Sequence, residues 1–174
     1  VITIYIGIDP GKSGAIALYE NGVWRVEDCP LVETSTKTRK NKETGKITKT
    51  TKKESSPLLM AEIFGECPED VRVVVTIEKV SAMPGQGVTS MFSFGRNFGQ
   101  WEGVVAALGC VVNYVTPQRW KKAMLADMPK GKEASRMRAL QLFPYLANDL
   151  KLKKHDGRAE ALLIGEYGRR AESK

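Results

Sequence analysis

With 174 residues, 42% of them hydrophobic and 27% charged, the chain has the apolar material for one core, which excludes global disorder and argues against several domains. No apolar run reaches the roughly 18 residues of a membrane span, and the apolar opening has no basic leader, so a soluble intracellular protein with no membrane partner is expected. Lys and Arg outnumber Asp and Glu by 27 to 20, a net charge of +7 that suits a polyanionic partner.

Residues 1–8 are apolar and β-branched and stop at Asp9-Pro10-Gly11, a turn sequence, which predicts a first strand ending at Asp9. Residues 15–19 are apolar again, Asn21-Gly22 is a two-residue hairpin signal, and residues 23–26 return as a third strand, giving an antiparallel meander. Residues 34–56 then carry eight Lys or Arg (Lys37, Arg39, Lys40, Lys42, Lys46, Lys49, Lys52, Lys53) against Glu43 and Glu54, leaving about +1 for the rest of the chain. Rich in Thr, centred on Glu43-Thr44-Gly45-Lys46 and poor in apolar anchors, this basic insertion reads as a projecting hairpin or as a disordered loop. Ser56-Pro57 predicts a helix start, with Leu58, Leu59, Ile63 and Phe64 on one side and Cys67-Pro68 as the stop.

Residues 71–77 form a β-branched run broken only by Arg72, the pattern of a buried strand parallel to the first, and it delivers Glu78 at its end. After the loop Met83-Pro84-Gly85-Gln86-Gly87, Phe94, Phe98, Trp101, Val105 and Leu108 recur at steps of four and three, one face of a helix. Gly95, Gly99 and Gly103 recur on another face. An interior glycine costs a helix about 1 kcal/mol, so a backbone is expected to approach there from the sheet, from another helix or from a second subunit. Residues 111–115 predict a fifth strand, Pro117 opens a short helix, residues 132–143 form another, and a last helix begins near Asp156 with Ala159, Leu162, Leu163 and Tyr167 available for packing. A second basic cluster, residues 117–138, holds Arg119, Lys121, Lys122, Lys130, Lys132, Arg136 and Arg138 against Asp127 and Glu133. The expected fold class is α/β: one domain over residues 1–174, with a mixed five-stranded sheet, three antiparallel strands and then parallel ones, flanked by helices and carrying the basic insertion at 34–56.

Cys29, Cys67 and Cys110 are widely separated and have no partner at metal-ligand spacing, so neither a disulfide framework nor a zinc site is expected. The carboxylates are more informative. Asp9 and Glu78 close two strands, and Asp156 and Glu160 stand four apart, on one face of a helix. With the two strands adjacent and parallel, the last helix needs only to cross the sheet edge to gather four acids. Crowded carboxylates raise their pKa values or bind divalent cations, and an all-oxygen set favours Mg²⁺ or Mn²⁺ over zinc. Taken singly, Asp9 also reads as a turn residue and Asp156 as a helix cap. Glu78, ending an apolar strand, needs a partner, and Glu160 lies among core-type neighbours. His155, the single histidine, could assist proton transfer or lie exposed.

Gly7-Ile8-Asp9-Pro10-Gly11-Lys12-Ser13-Gly14-Ala15, Ile77-Glu78 and His155-Asp156-Gly157-Arg158-Ala159-Glu160-Ala161-Leu162 resemble the acidic motifs of RuvC-type Holliday junction resolvases, within the RNase H-like nuclease superfamily. The resemblance runs in order along almost the whole chain, with residues 34–56 as the unmatched insertion. It implies an RNase H-like fold and Mg²⁺-dependent paired nicking of four-way DNA junctions by a homodimer, in the cytoplasm of a bacterium or infected cell or in an organelle. It places Asp9, Glu78, Asp156 and Glu160 as catalytic residues and metal ligands. Bacterial members usually space the last two ligand positions three apart. The spacing of four here is that of phage-like and organellar relatives, and leaves His155 as an alternative to Asp156. Such a site holds two cations, with Asp9 bridging, and leaves 5′ phosphate and 3′ hydroxyl ends. Lys121, Lys122, Lys132 and Arg136 would follow DNA phosphates beside it. Phe92 and Phe94 are the candidates for an aromatic that stacks at the junction.

Rival readings are weaker. Gly11-Lys12-Ser13 looks like the end of a phosphate-binding P-loop, but the position that needs the first glycine is Ile6, and Gly7 comes one residue late. A sugar-kinase or actin-like ATPase needs two large lobes, more than 174 residues are expected to supply. A nuclease for other branched or RNA-containing structures, and a junction-binding protein that does not cut, remain as alternatives.

Overall fold

Strands β1 (Ile2–Asp9), β2 (Ala15–Glu20) and β3 (Val23–Asp28) form the expected meander, with Asn21 at φ 51° and Gly22 at φ 87° in the turn that joins the last two. The structure is a computed structural model and describes residues 2–65, 70–79, 81–82 and 84–173. Residues 34–56 take the hairpin alternative: β4 (Leu31–Lys40) and β5 (Ile47–Ser55) pair antiparallel as a separate two-stranded sheet, with register from Leu31↔Ser55 to Lys40↔Ile47. Nearly every side chain on this ribbon is exposed, so strand pairing and its β-branched threonines hold it together, as where Thr36 and Thr51 meet hydroxyl to hydroxyl at 3.3 Å. Its base is tied to the body by Lys12, which donates to the Lys53 carbonyl, and by an Arg96–Glu54 ion pair at 2.9 Å.

Helix α1 (Pro57–Phe64) starts as expected, with Ser56 accepting the Leu59 N–H and Pro57 in the first turn. Its buried face differs from the expected one. Met60 is fully buried and Leu58 is 70% exposed, because a two-turn helix lying along the sheet covers one narrow stripe and Leu58 points off it. The stop assigned to Cys67-Pro68 lies outside the described residues, as does Met83 of the expected loop.

Strand β6 (Val71–Glu78) runs parallel to β1 in register from Ile2↔Val71 to Ile8↔Ile77, helix α2 (Val88–Ala107) follows, and β7 (Val111–Val115) adds parallel to β6. The sheet order is β3-β2-β1-β6-β7, the mixed five-stranded arrangement expected. One face packs Ile6, Ile8, Val75 and Ile77 against Met60 of α1 and Trp101 and Val105 of α2. The other carries α3 (Pro117–Met124), α4 (Ala134–Leu142) and α5 (Asp156–Glu172), whose Trp120, Ala139, Leu162 and Leu163 are buried with Ala17 and Trp24. Among the described residues, no helix is long and apolar enough to cross a membrane.

Helix α5 lies against β1 backbone to backbone. A methyl at Gly7 would overlap the Ala161 carbonyl, and one at Gly165 would meet the Trp24 ring at 2.5 Å. Gly165→Ala is therefore expected to cost about 3 kcal/mol in urea denaturation, the upper end of overpacking penalties. A loss below about 1 kcal/mol would mean that α5 can move outward freely. The α2 glycines behave differently from the in-chain alternatives read from the sequence. A methyl at Gly95, Gly99 or Gly103 would meet nothing within 4 Å, so among the described residues neither the sheet nor another helix approaches that face.

Candidate active site at the sheet edge

The last residue pair of β1 and β6 is Ile8↔Ile77, so the next residues along the two strands, Asp9 and Glu78, stand side by side. Side chains alternate across a strand, and since Ile8 and Ile77 enter the core under α1 and α2, Asp9 and Glu78 turn to the α5 face. There α5 begins with Asp156 and places Glu160 one turn further on. Its first turn reaches the β1–β2 connection only because residue 157 is glycine: a methyl there would strike the Ser13 carbonyl. Asp9, Asp156 and Glu160 consequently line one pocket of about 650 Å³ together with Lys121, Lys132 and Ser135. Glu78 is 7% exposed and lies outside that lining.

Asp9, Glu78 and Glu160 act on one another electrostatically. Burial first, then Glu160, push the Asp9 carboxyl up to about 7, with Glu78 adding to the rise, while the Gly11 N–H on Oδ1 and the Lys121 ammonium pull it back. Glu78 is also raised, chiefly by burial and then by Glu160, against the Trp120 indole N–H, which donates to its Oε1 at 2.7 Å, and against Lys121. Glu160 Oε1 accepts from the Ser135 hydroxyl at 3.2 Å and pairs with Lys121 Nζ at 3.0 Å. Lys121 therefore serves the three acids as their shared cation, its ammonium held 5.0 Å from the centre of the Trp120 ring.

Asp156 Oδ1 is buried and has no hydrogen-bond partner among the described residues. A buried carboxylate oxygen without a donor is costly, and in a pocket shared with the carboxylates of Asp9 and Glu160 it fits a hard divalent cation. The donor set thus suits Mg²⁺ or Mn²⁺, although among the described residues no three His, Cys, Asp or Glu side chains stand close enough as placed to hold one ion.

The remaining candidates separate. Lys122 is exposed on α3, and Lys132 is exposed on the pocket rim. Arg136, expected to follow phosphates, is instead committed to Glu133 and to the carbonyls of Leu150 and Lys151, where it clasps the segment leading into α5. His155 is buried with Nδ1 accepting the Leu152 N–H, and burial lowers its pKa; the pocket is lined by Asp156 and not by His155. The sequence reading missed Trp120, Ser135, Lys153 and Lys154, the last three of which line the pocket. The lysines were signalled by the basic run before His155. Trp120 was signalled only as the one large apolar residue in Pro117-Gln118-Arg119-Trp120-Lys121-Lys122.

No family model matches the chain. Over 91 residues, 52% of this chain and 10% of the relative, the sequence is 34% identical to the chloroplastic Holliday junction resolvase MOC1 of Chlamydomonas reinhardtii, so the match spans about a tenth of that protein. The structure aligns with RuvC of T. thermophilus, solved in complex with a Holliday junction substrate, at a TM-score of 0.51 and 17% identity, covering 94% of this chain and 90% of that one. That likeness speaks for the fold, and the shared sequence is independent of it. The chain thus has the fold seen in RuvC, and over about half its length its sequence is similar to part of a chloroplastic Holliday junction resolvase.

Proposed function

We propose that the chain is a metal-dependent, structure-selective endonuclease that resolves four-way DNA junctions by paired nicks. The observation that carries this reading is the placement of Asp9 and Glu78 at adjacent strand ends, facing Asp156 and Glu160 of α5. The sequence shared with a chloroplastic junction resolvase supports the substrate class, and the basic surface supports a nucleic-acid partner. A DNA-bearing compartment, cytoplasmic or organellar, follows from that substrate.

Asp9, Glu78, Asp156 and Glu160 are the residues that would hold the cations. Mg²⁺ or Mn²⁺ bound there would supply positive charge to activate a water at the scissile phosphate and to stabilise the leaving 3′ oxygen. The chain's own groups do the rest. Asp9 gives up the proton that its surroundings favour, Ser135 and Lys121 orient Glu160, and Lys122, Lys132, Lys153 and Lys154 hold phosphates at the rim. Arg136 is not assigned to DNA, because its guanidinium is already engaged. An end-labelled cleavage assay on a four-way junction, a fork and a duplex, with Mg²⁺ or with EDTA, tests the reading. Symmetric paired nicks in the junction alone, lost in EDTA, are expected. Tight junction binding without cuts would make the chain a non-cleaving binder, and cuts in forks or RNA-containing branches would widen the substrate class.

Paired nicks need two sites, and a homodimer is proposed through α2. The open face at Gly95, Gly99 and Gly103 continues into Val88 and Phe92, which are 85% and 74% exposed, and Phe92 is the better placed of the two aromatics for stacking at a junction centre. Gly99→Arg is expected to convert a dimer into a monomer in sedimentation equilibrium. An unchanged mass would move the seam elsewhere.

A further inference from the structure

We propose that Trp120 is a positioning residue for Glu78: its indole N–H fixes Oε1, so that the other oxygen, Oε2, is the one presented to a divalent cation. The proposal rests on the reading of Glu78 as a metal ligand. Trp120 is fully buried on α3, and its Nε1 donates to Glu78 Oε1 at 2.7 Å across the gap between that helix and the end of β6.

Burial alone does not dictate a carboxylate partner, because Trp101 is equally buried and its indole acts on the Cys29 thiol and, among the described residues, on no acid. The chemistry of the donor matters more. A Lys or Arg at this place would neutralise Glu78 and compete with a divalent ion. A neutral N–H restrains one oxygen without adding positive charge of its own, and leaves the other oxygen free to coordinate. The next residue of the same helix, Lys121, pairs with Glu160 while lying over the Trp120 ring. One turn of α3 thus aims two of the four acids, Glu78 with a neutral donor and Glu160 with a charged one.

The test is Mn²⁺ binding in the absence of DNA, read from the electron paramagnetic resonance signal of the free ion. It compares the wild-type chain, Trp120→Phe, Glu78→Gln and the double variant. A fifth protein carries 3-benzothienylalanine at position 120, which keeps the ring shape and replaces the N–H by sulfur, so the comparison stands even where Trp120→Phe loses packing. Loss of the N–H is expected to weaken Mn²⁺ binding about tenfold, the low end for a group that orients a metal ligand. Glu78→Gln should weaken it too, and the double variant should bind no worse than Glu78→Gln. Wild-type affinity in the benzothienylalanine protein, or losses that multiply in the double variant, would overturn the proposal while leaving Glu78 a ligand. Wild-type affinity in Glu78→Gln would remove Glu78 from the metal site and overturn both readings.

Discussion

Asp9→Asn is expected to lower junction cleavage by about 10³-fold or more, as removal of one member of a concerted catalytic set does, while junction binding survives. The same substitution is expected to make the protein more stable above pH 7. In the unfolded chain Asp9 ionises near its ordinary value of 3.8, whereas in the folded chain burial and Glu160 push it up to about 7. Between those values the folded state holds a proton that the unfolded state has lost. The stability attached to that proton is complete below the unfolded value and disappears as pH rises through 7. Three pKa units correspond to about 4 kcal/mol. The carboxylate lines a pocket open to the surface, so a gain on the order of 1–2 kcal/mol is expected for Asn. Thermal melts at pH 5 and pH 8 should show the advantage of Asn growing with pH. Mg²⁺ should raise the melting temperature of the wild type and leave that of the variant nearly unchanged. Cleavage at the wild-type rate in Mg²⁺ would take Asp9 out of the mechanism.

Glu78→Gln belongs to the same expectation for cleavage but has a different origin. Asp9 is reached by a strand that ends in a turn, and the sequence displays both the alternation and the Pro10-Gly11 that stops it. Glu78 is visible because it closes an apolar run, and the crossover rule then puts the two strands side by side. These signals are local, or depend on one pairing, which is why the sheet and the adjacency of the strand ends that carry Asp9 and Glu78 could be read in advance. The partners of the acids could not. Whether Trp120 meets Glu78 or Lys121 meets Glu160 depends on how α3 rotates as it packs over the sheet, and nothing within residues 117–124 fixes that rotation. Arg136 shows the same limit: its charge suggested a phosphate, and the fold of residues 150–151 claimed it first. The α2 glycines mark a face that some backbone could approach, but a repeat cannot say whether the approaching chain is its own.

Removal of residues 36–53, with an Asn-Gly turn closing the shortened hairpin, is expected to flatten the salt dependence of junction binding. All eight Lys and Arg of the insertion lie in the deleted stretch. The register sets where their charge goes. Ser35↔Lys52, Lys37↔Thr50 and Arg39↔Thr48 share one face of the ribbon, and Thr38↔Lys49 and Lys40↔Ile47 share the other. A ribbon resting on one side of a duplex would leave one of these sets in solvent. Cations on both faces fit a ribbon lying between two phosphate walls, in a major groove, which admits a two-stranded β-ribbon, or between two arms of the junction. Each neutralised phosphate is worth about 0.9 in the slope of log K against log salt, so a deletion that leaves about five phosphates without their cations would reduce the slope by about 4.5. Serine at Lys37, Arg39 and Lys52 alone, or at Lys40 and Lys49 alone, should each remove part of that change. A loss confined to one set would lay the ribbon flat on a single arm. An unchanged slope after the deletion would take the ribbon off the DNA, and the affinity would then have to come from the lysines around the acidic pocket.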